Sequence, residues 1–95
     1  MMKEIILTTF NARYTHTSIA LRYLFANLKE LQQKAHIIEF VINSSVADAV
    51  EAILEHQPKI VGLGAYIWNA LEIQECMTIL KKVSPKTLIV LGGPE

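Results

Sequence analysis

Two apolar runs that end in glycine constrain the fold of this chain most. Lys59-Ile60-Val61-Gly62-Leu63-Gly64 runs into Ala65-Tyr66-Ile67-Trp68-Asn69, and Thr87-Leu88-Ile89-Val90-Leu91 runs into Gly92-Gly93-Pro94-Glu95 at the end of the sequence. Unbroken apolar runs of this length suit strands buried on both faces, as in parallel sheets covered by helices. Strands that hand over to loops through glycine place those loops on one edge of the sheet. Open sheets of this kind bind ligands outside the carboxyl ends of their strands, so function is sought there. Because the second run reaches the C terminus, the expectation is one domain over residues 1–95, incomplete at its C-terminal end.

The rest of the chain alternates in the same way. Residues 3–9, with Ile5-Ile6-Leu7, predict a first buried strand, followed by the polar stretch Asn11 to Thr17. From about Ser18 to Gln33, Leu21, Leu24, Leu28 and Leu31 recur at helical spacing, and Thr17 or Ser18 is the natural cap. A second strand is expected over residues 35–42. Ser45, with Asp48 three residues on, then marks a second helix carrying Val46, Ala49, Val50, Ile53 and Leu54, closed by Pro58. The third helix is predicted to start near Asn69, capped by that side chain while Glu72 reaches back, with Ile73, Met77, Leu80 and Val83 buried. Pro85 separates it from the fourth strand.

Strand, helix, strand, helix, strand, helix, strand calls for right-handed crossovers and helices on both faces of the sheet. The predicted fold class is therefore α/β, flavodoxin-like (Rossmann-like): a three-layer sandwich whose parallel sheet has the order 2-1-3-4 and is truncated before strand five. In that order strand four is an exposed apolar edge, which invites pairing with another chain. A homodimer through this edge is the matching expectation.

Composition excludes several function classes. Nine basic residues balance nine acidic ones, so no long-range field draws in nucleic acid or anionic membranes. No apolar run approaches the roughly 20 residues needed to cross a bilayer. The first residues read as a strand and not as an export signal, which points to a cytoplasmic protein. Cys76 is the single cysteine, so no internal disulfide forms, and its helical setting predicts a buried, inert thiol. A phosphoacceptor domain is excluded because Gly64-Ala65-Tyr66 and Thr8-Thr9-Phe10 stand where its aspartates would be needed.

Three segments together resemble a known family. The opening Leu7-Thr8-Thr9-Phe10-Asn11-Ala12-Arg13-Tyr14-Thr15-His16-Thr17-Ser18-Ile19-Ala20-Leu21-Arg22-Tyr23-Leu24 is similar to the start of cobalamin-binding-domain radical S-adenosylmethionine proteins. Gly64-Ala65-Tyr66-Ile67-Trp68-Asn69 and Leu91-Gly92-Gly93-Pro94-Glu95 resemble that group's loops after strands three and four. The resemblance implies a cobalamin-binding module that is not itself catalytic. It would serve a radical domain of the same full-length chain, which carries S-adenosylmethionine and a 4Fe-4S cluster and acts as a methyltransferase or related iron–sulfur oxidoreductase. The implied cofactor-binding residues are Asn11, Arg13, Tyr14, His16 and Thr17 in the first loop, Gly64, Ala65, Tyr66, Trp68 and Asn69 in the second, and Gly92 with Gly93 in the third.

Many cobalamin domains carry Asp-x-His-x-x-Gly after the first strand, whose histidine ligates cobalt and whose carboxylate tunes it. Here His16 stands at the corresponding place, but Tyr14 replaces the carboxylate and Ile19 the glycine. The radical branch often binds cobalamin with no protein histidine below the metal, so no metal ligand is implied and His16 is the single candidate. The family's small hydroxyl position after strand three falls on Ala65 or its neighbours.

Apart from the resemblance, Tyr66 and Trp68 either cap the core or form a flat wall for a ligand or partner domain. Arg13 could pair with a phosphate or a carboxamide-bearing ligand, or stay solvated, and Asn11 could simply organise a turn. His36 and His56 have no metal-type partner at suitable spacing and are read as structural. Two alternatives stay open: a degenerate α/β docking module without cofactor, and a flavin- or nucleotide-binding flavodoxin-like domain. Against the latter, the first loop has no phosphate-cradling glycine, serine and threonine run.

Overall fold

A computed structural model describes residues 3–11, 19–42 and 44–92. Its four strands are β1 (Ile5–Asn11), β2 (Ala35–Val41), β3 (Ile60–Gly64) and β4 (Leu88–Gly92). All pairings are parallel and the order is β2-β1-β3-β4, as the alternating pattern predicts. The helices are α1 (Ile19–Ala26), α2 (Val46–Leu54) and α3 (Ala70–Val83). Strand alternation gives the sheet two distinct faces. Ile6, Phe10, Val61 and Leu63 point to the α2 and α3 side and build the main core with Val46, Ala49, Val50, Ile53, Ile73, Cys76 and Leu80. Phe10 extends this core toward β2, with its ring 5.4 Å from that of Phe40.

Register fixes where the site lies. Thr9 pairs with Gly64, and Gly64 with Gly92, so the ends of three strands share one row across the sheet. The next row inward joins Leu7, Gly62 and Val90. The two glycine-ended runs therefore finish side by side at the carboxyl edge, as expected.

Several local expectations are corrected. The first helix does not run to Gln33: α1 ends at Ala26, and a 3₁₀ helix spans Lys29–Lys34. Asn27 bonds back through its side-chain Nδ2 to the Tyr23 carbonyl at 2.8 Å, and Lys29 takes a left-handed φ of 56°. Helical spacing of the leucines survives the break, because Leu28 and Leu31 still turn toward the sheet. The second helix begins as predicted, with Ser45 Oγ accepting the Asp48 amide at 3.2 Å. Gln57, at φ 51°, ends that segment ahead of Pro58.

In α3, Val83 is 62% exposed, whereas Cys76 is fully buried. Val83 sits in the last turn and borders an open depression with Leu54 and Pro58 instead of the core. The expected burial of the Cys76 thiol is found. Burial, and secondarily the charge of Glu75, pushes its pKa up to about 11. The predicted caps at Thr17 and Ser18 lie outside the described residues. Strand β4 forms one border of the sheet, and Leu88, Val90 and Leu91 are exposed there.

Candidate functional site

The α1 side of the sheet is only partly covered. Here β1 presents Ile5 and Leu7, β3 presents Ile60, Gly62 and Gly64, and β4 presents Val90 and Gly92, facing the leucines of α1 and the 3₁₀ helix. Between them runs an apolar groove of about 320 Å³, which reaches Tyr66 at the carboxyl edge. Glycines at alternate positions of β3 put both bare backbones on this face. Each has a different consequence. A Cβ at Gly62 would lie 2.9 Å from Leu7 Cδ2, and one at Gly64 would lie 3.3 Å from Thr9 Cβ and Oγ1. A Cβ at Gly92 meets no atom of the described residues within 4 Å. Gly62 and Gly64 thus let neighbouring side chains lie close to the sheet, while Gly92 opens onto free space beside the groove.

Above this row stands the loop after β3. The Ala65 amide donates to the Gly92 carbonyl at 2.7 Å, tying the loop to the end of β4. Tyr66 and Trp68 stack with ring centroids 4.7 Å apart and planes within 1° of parallel. Tyr66 borders the groove, and Trp68, 53% exposed, lies against the tyrosine ring. The stacked pair makes an aromatic wall at this edge.

Asn69 corrects the capping expectation, since it makes no side-chain cap bond to α3 and is fully buried. Its Oδ1 accepts the Tyr66 amide at 2.8 Å, and its Nδ2 reaches Thr9 Oγ1, the Phe10 carbonyl and the Gly64 carbonyl at 3.0, 3.0 and 3.2 Å. Asn11 is drawn toward β2: its Nδ2 donates to Glu39 Oε2 at 2.9 Å, and Glu39 Oε1 accepts from Arg22 at 2.6 Å. This chain of contacts holds the end of β1 to β2 and α1.

Of the residues singled out in the sequence, Gly64, Ala65, Tyr66, Trp68, Asn69 and Gly92 gather at one edge, with Asn11 beside them at the end of β1. Arg13, Tyr14, His16, Thr17 and Gly93 lie outside the described residues. Sequence reasoning missed Gly62, Leu7 and Thr9. The spacing Gly62-x-Gly64 inside a strand was the available signal for the groove. Nothing in the sequence marked Thr9, whose hydroxyl is buried and donates to the Gly64 carbonyl at 2.6 Å. Among the described residues, no group of three or more histidine, cysteine or acidic side chains could hold a metal ion.

The model of the B12 binding domain family matches residues 5–95, which takes in every strand and helix described above. The chain belongs to this family. No curated protein matches the sequence. The residues of this B12 binding domain fit its cofactor. The groove is apolar and falls within the roughly 300–1,000 Å³ typical of ligand sites. Gly92 leaves backbone uncovered at its mouth, and an aromatic wall rises next to it. Ala65 itself carries no hydroxyl, and the nearby hydroxyl of Thr9 is already bonded to Gly64 and Asn69.

Proposed function

We propose that this B12 binding domain holds cobalamin at the carboxyl edge of its sheet, with an apolar part of the cofactor in the α1-side groove. It would serve as the cofactor module of a radical S-adenosylmethionine enzyme acting in methyl transfer or a related iron–sulfur oxidoreduction. The observation that carries this is the groove opening beside the Thr9, Gly64 and Gly92 row, in a chain of the B12 binding domain family. When bound, cobalamin supplies reactive cobalt, and the protein's part is to bind and orient it. Leu21 and Leu24 of α1, with Leu7 beneath them, exclude water from the groove; Gly92 permits close approach; Tyr66 limits the ligand on the β3 side. The radical domain, its S-adenosylmethionine and its 4Fe-4S cluster would be supplied by the same full-length chain, a reading supported by the three segments that resemble such proteins. No helix of the described residues is long and apolar enough to cross a membrane.

Titration with hydroxocobalamin, followed by absorbance, tests the proposal. A saturable spectral change is expected, and His16→Ala should leave the bound spectrum unchanged because no histidine ligation is proposed. If no spectral or affinity response appears, the domain is a docking module without cofactor.

A further inference from the structure

A side-chain amide is buried at low cost only when its hydrogen bonds are met. Asn69 is fully buried, and both ends of its amide are engaged. Pairing between β1 and β3 ends at Thr9 and Gly64, which leaves the Phe10 carbonyl beyond the last rung. Asn69 Nδ2 meets that carbonyl at 3.0 Å and also reaches the Gly64 carbonyl at 3.2 Å, closing the gap where the two strands part. Thr9 Oγ1 gives its proton to the Gly64 carbonyl at 2.6 Å, so a lone pair remains to accept from Asn69 at 3.0 Å.

The other end of the amide controls the loop. Tyr66 is held twice by Asn69: its backbone N–H donates to the side-chain Oδ1 of Asn69 at 2.8 Å, and its carbonyl accepts the backbone N–H of Asn69 at 3.2 Å. The tyrosine ring is therefore placed relative to the strand ends by the buried asparagine, and Trp68 stacks on it from outside. A Cβ at Gly64 would lie 3.6 Å from Tyr66 Cε2, so the ring rests directly over the glycine row.

We propose that Asn69 is a positioning residue for the ligand site: it fixes the Tyr66 and Trp68 wall against the Gly64 and Gly92 row before any ligand arrives. A wall already ordered in the free protein costs no ordering entropy on binding. The claim that this wall serves cobalamin rests on the function proposed above; the claim that Asn69 sets the wall does not.

Trp68 is the single tryptophan, so its emission and the near-UV circular dichroism of its stack report the wall in the free chain. Asn69→Ala should keep the far-UV spectrum, shift Trp68 emission to the red, lose the near-UV signal and weaken hydroxocobalamin binding about tenfold. Thr9→Val, which conserves shape, should do the same more weakly and keeps the test available if Asn69→Ala does not fold. Leu80→Ala, a core change on the opposite face, should lower Tm while leaving the emission and the affinity unchanged. If both site variants lower Tm as Leu80→Ala does, with emission and affinity intact, the role is structural and the proposal is overturned. If the unaltered chain binds no hydroxocobalamin, the cofactor proposal fails and with it the ligand role of the wall, while the emission still decides whether Asn69 sets it.

Discussion

His36 and His56 face each other with ring centroids 5.4 Å apart, one at the start of β2 and the other just past α2. Twenty residues of sequence separate them, and only the crossover from β2 through α2 brings them together. Desolvation, then His56, then Lys3, lowers the pKa of His36 from its usual 6.5. Nδ1 of His56 is buried with no hydrogen-bond partner among the described residues.

This pair predicts the pH dependence of stability. A histidine whose pKa is lower in the folded state binds fewer protons there than when unfolded, so stability rises with pH across that window. Stability should be fully present above about 6.5 and be lost as pH falls through the lowered folded value. His36→Gln should flatten the profile of Tm against pH between about 7 and 5. An unchanged slope would remove this pair as the cause.

Two glycines of the groove, Gly92 and Gly62, should respond differently to the same change. Gly92→Val adds a side chain where no atom of the described residues lies within 4 Å, on an edge strand that favours β-branched residues. Its effect on stability should stay within about 0.5 kcal/mol, while hydroxocobalamin affinity falls. Gly62→Val meets Leu7 at 2.9 Å at the first added carbon and should cost stability directly, by about 1–3 kcal/mol. Urea denaturation alongside ligand titration separates the two. Full affinity in Gly92→Val would deny that the ligand passes this point.

Among the described residues, nothing pairs with the outer edge of strand β4. Leu88, Val90 and Leu91 are 58, 49 and 51% exposed, and no charge or proline interrupts the strand. Edges of this kind template pairing with another chain. Sedimentation at rising concentration should show self-association, and Leu91→Lys should shift it toward monomer without touching the groove. A monomer at every concentration would refute pairing of copies through this edge.

Cys76 should be close to inert while the protein is folded. Raising its pKa from 9.0 to about 11 lowers the thiolate fraction near neutrality by about 100-fold, before any effect of access. Alkylation by iodoacetamide should therefore be at least that much slower in buffer than in denaturant. Equal rates in the two conditions would contradict the packing of α3.

Strand existence, order and edge were legible because parallel strands leave unbroken apolar runs, both inside the sheet, as in Ile60–Gly64, and at its border, as in the exposed Leu88–Gly92. The Ser45 cap was legible because it acts over three residues. The break in the first helix was not. The leucine spacing from Leu21 to Leu31 is the same for an α-helix and for a shorter one continued by a 3₁₀ turn, so long as the same side chains face the sheet. Val83 fits the helical period of α3, but its exposure depends on how far the sheet extends beneath the last turn.

The sequence by itself determined the layers of this domain and the edge at which to look, since hydrophobic period and glycine placement act along the chain. Tertiary structure alone decided what Asn69 does. In sequence it is an ordinary helix cap, because the residues that follow it set that expectation. In the fold, the Phe10 and Gly64 carbonyls, together with the Thr9 hydroxyl, need a donor where β1 and β3 diverge. Burial makes satisfying those groups worth more than capping a solvent-facing helix start.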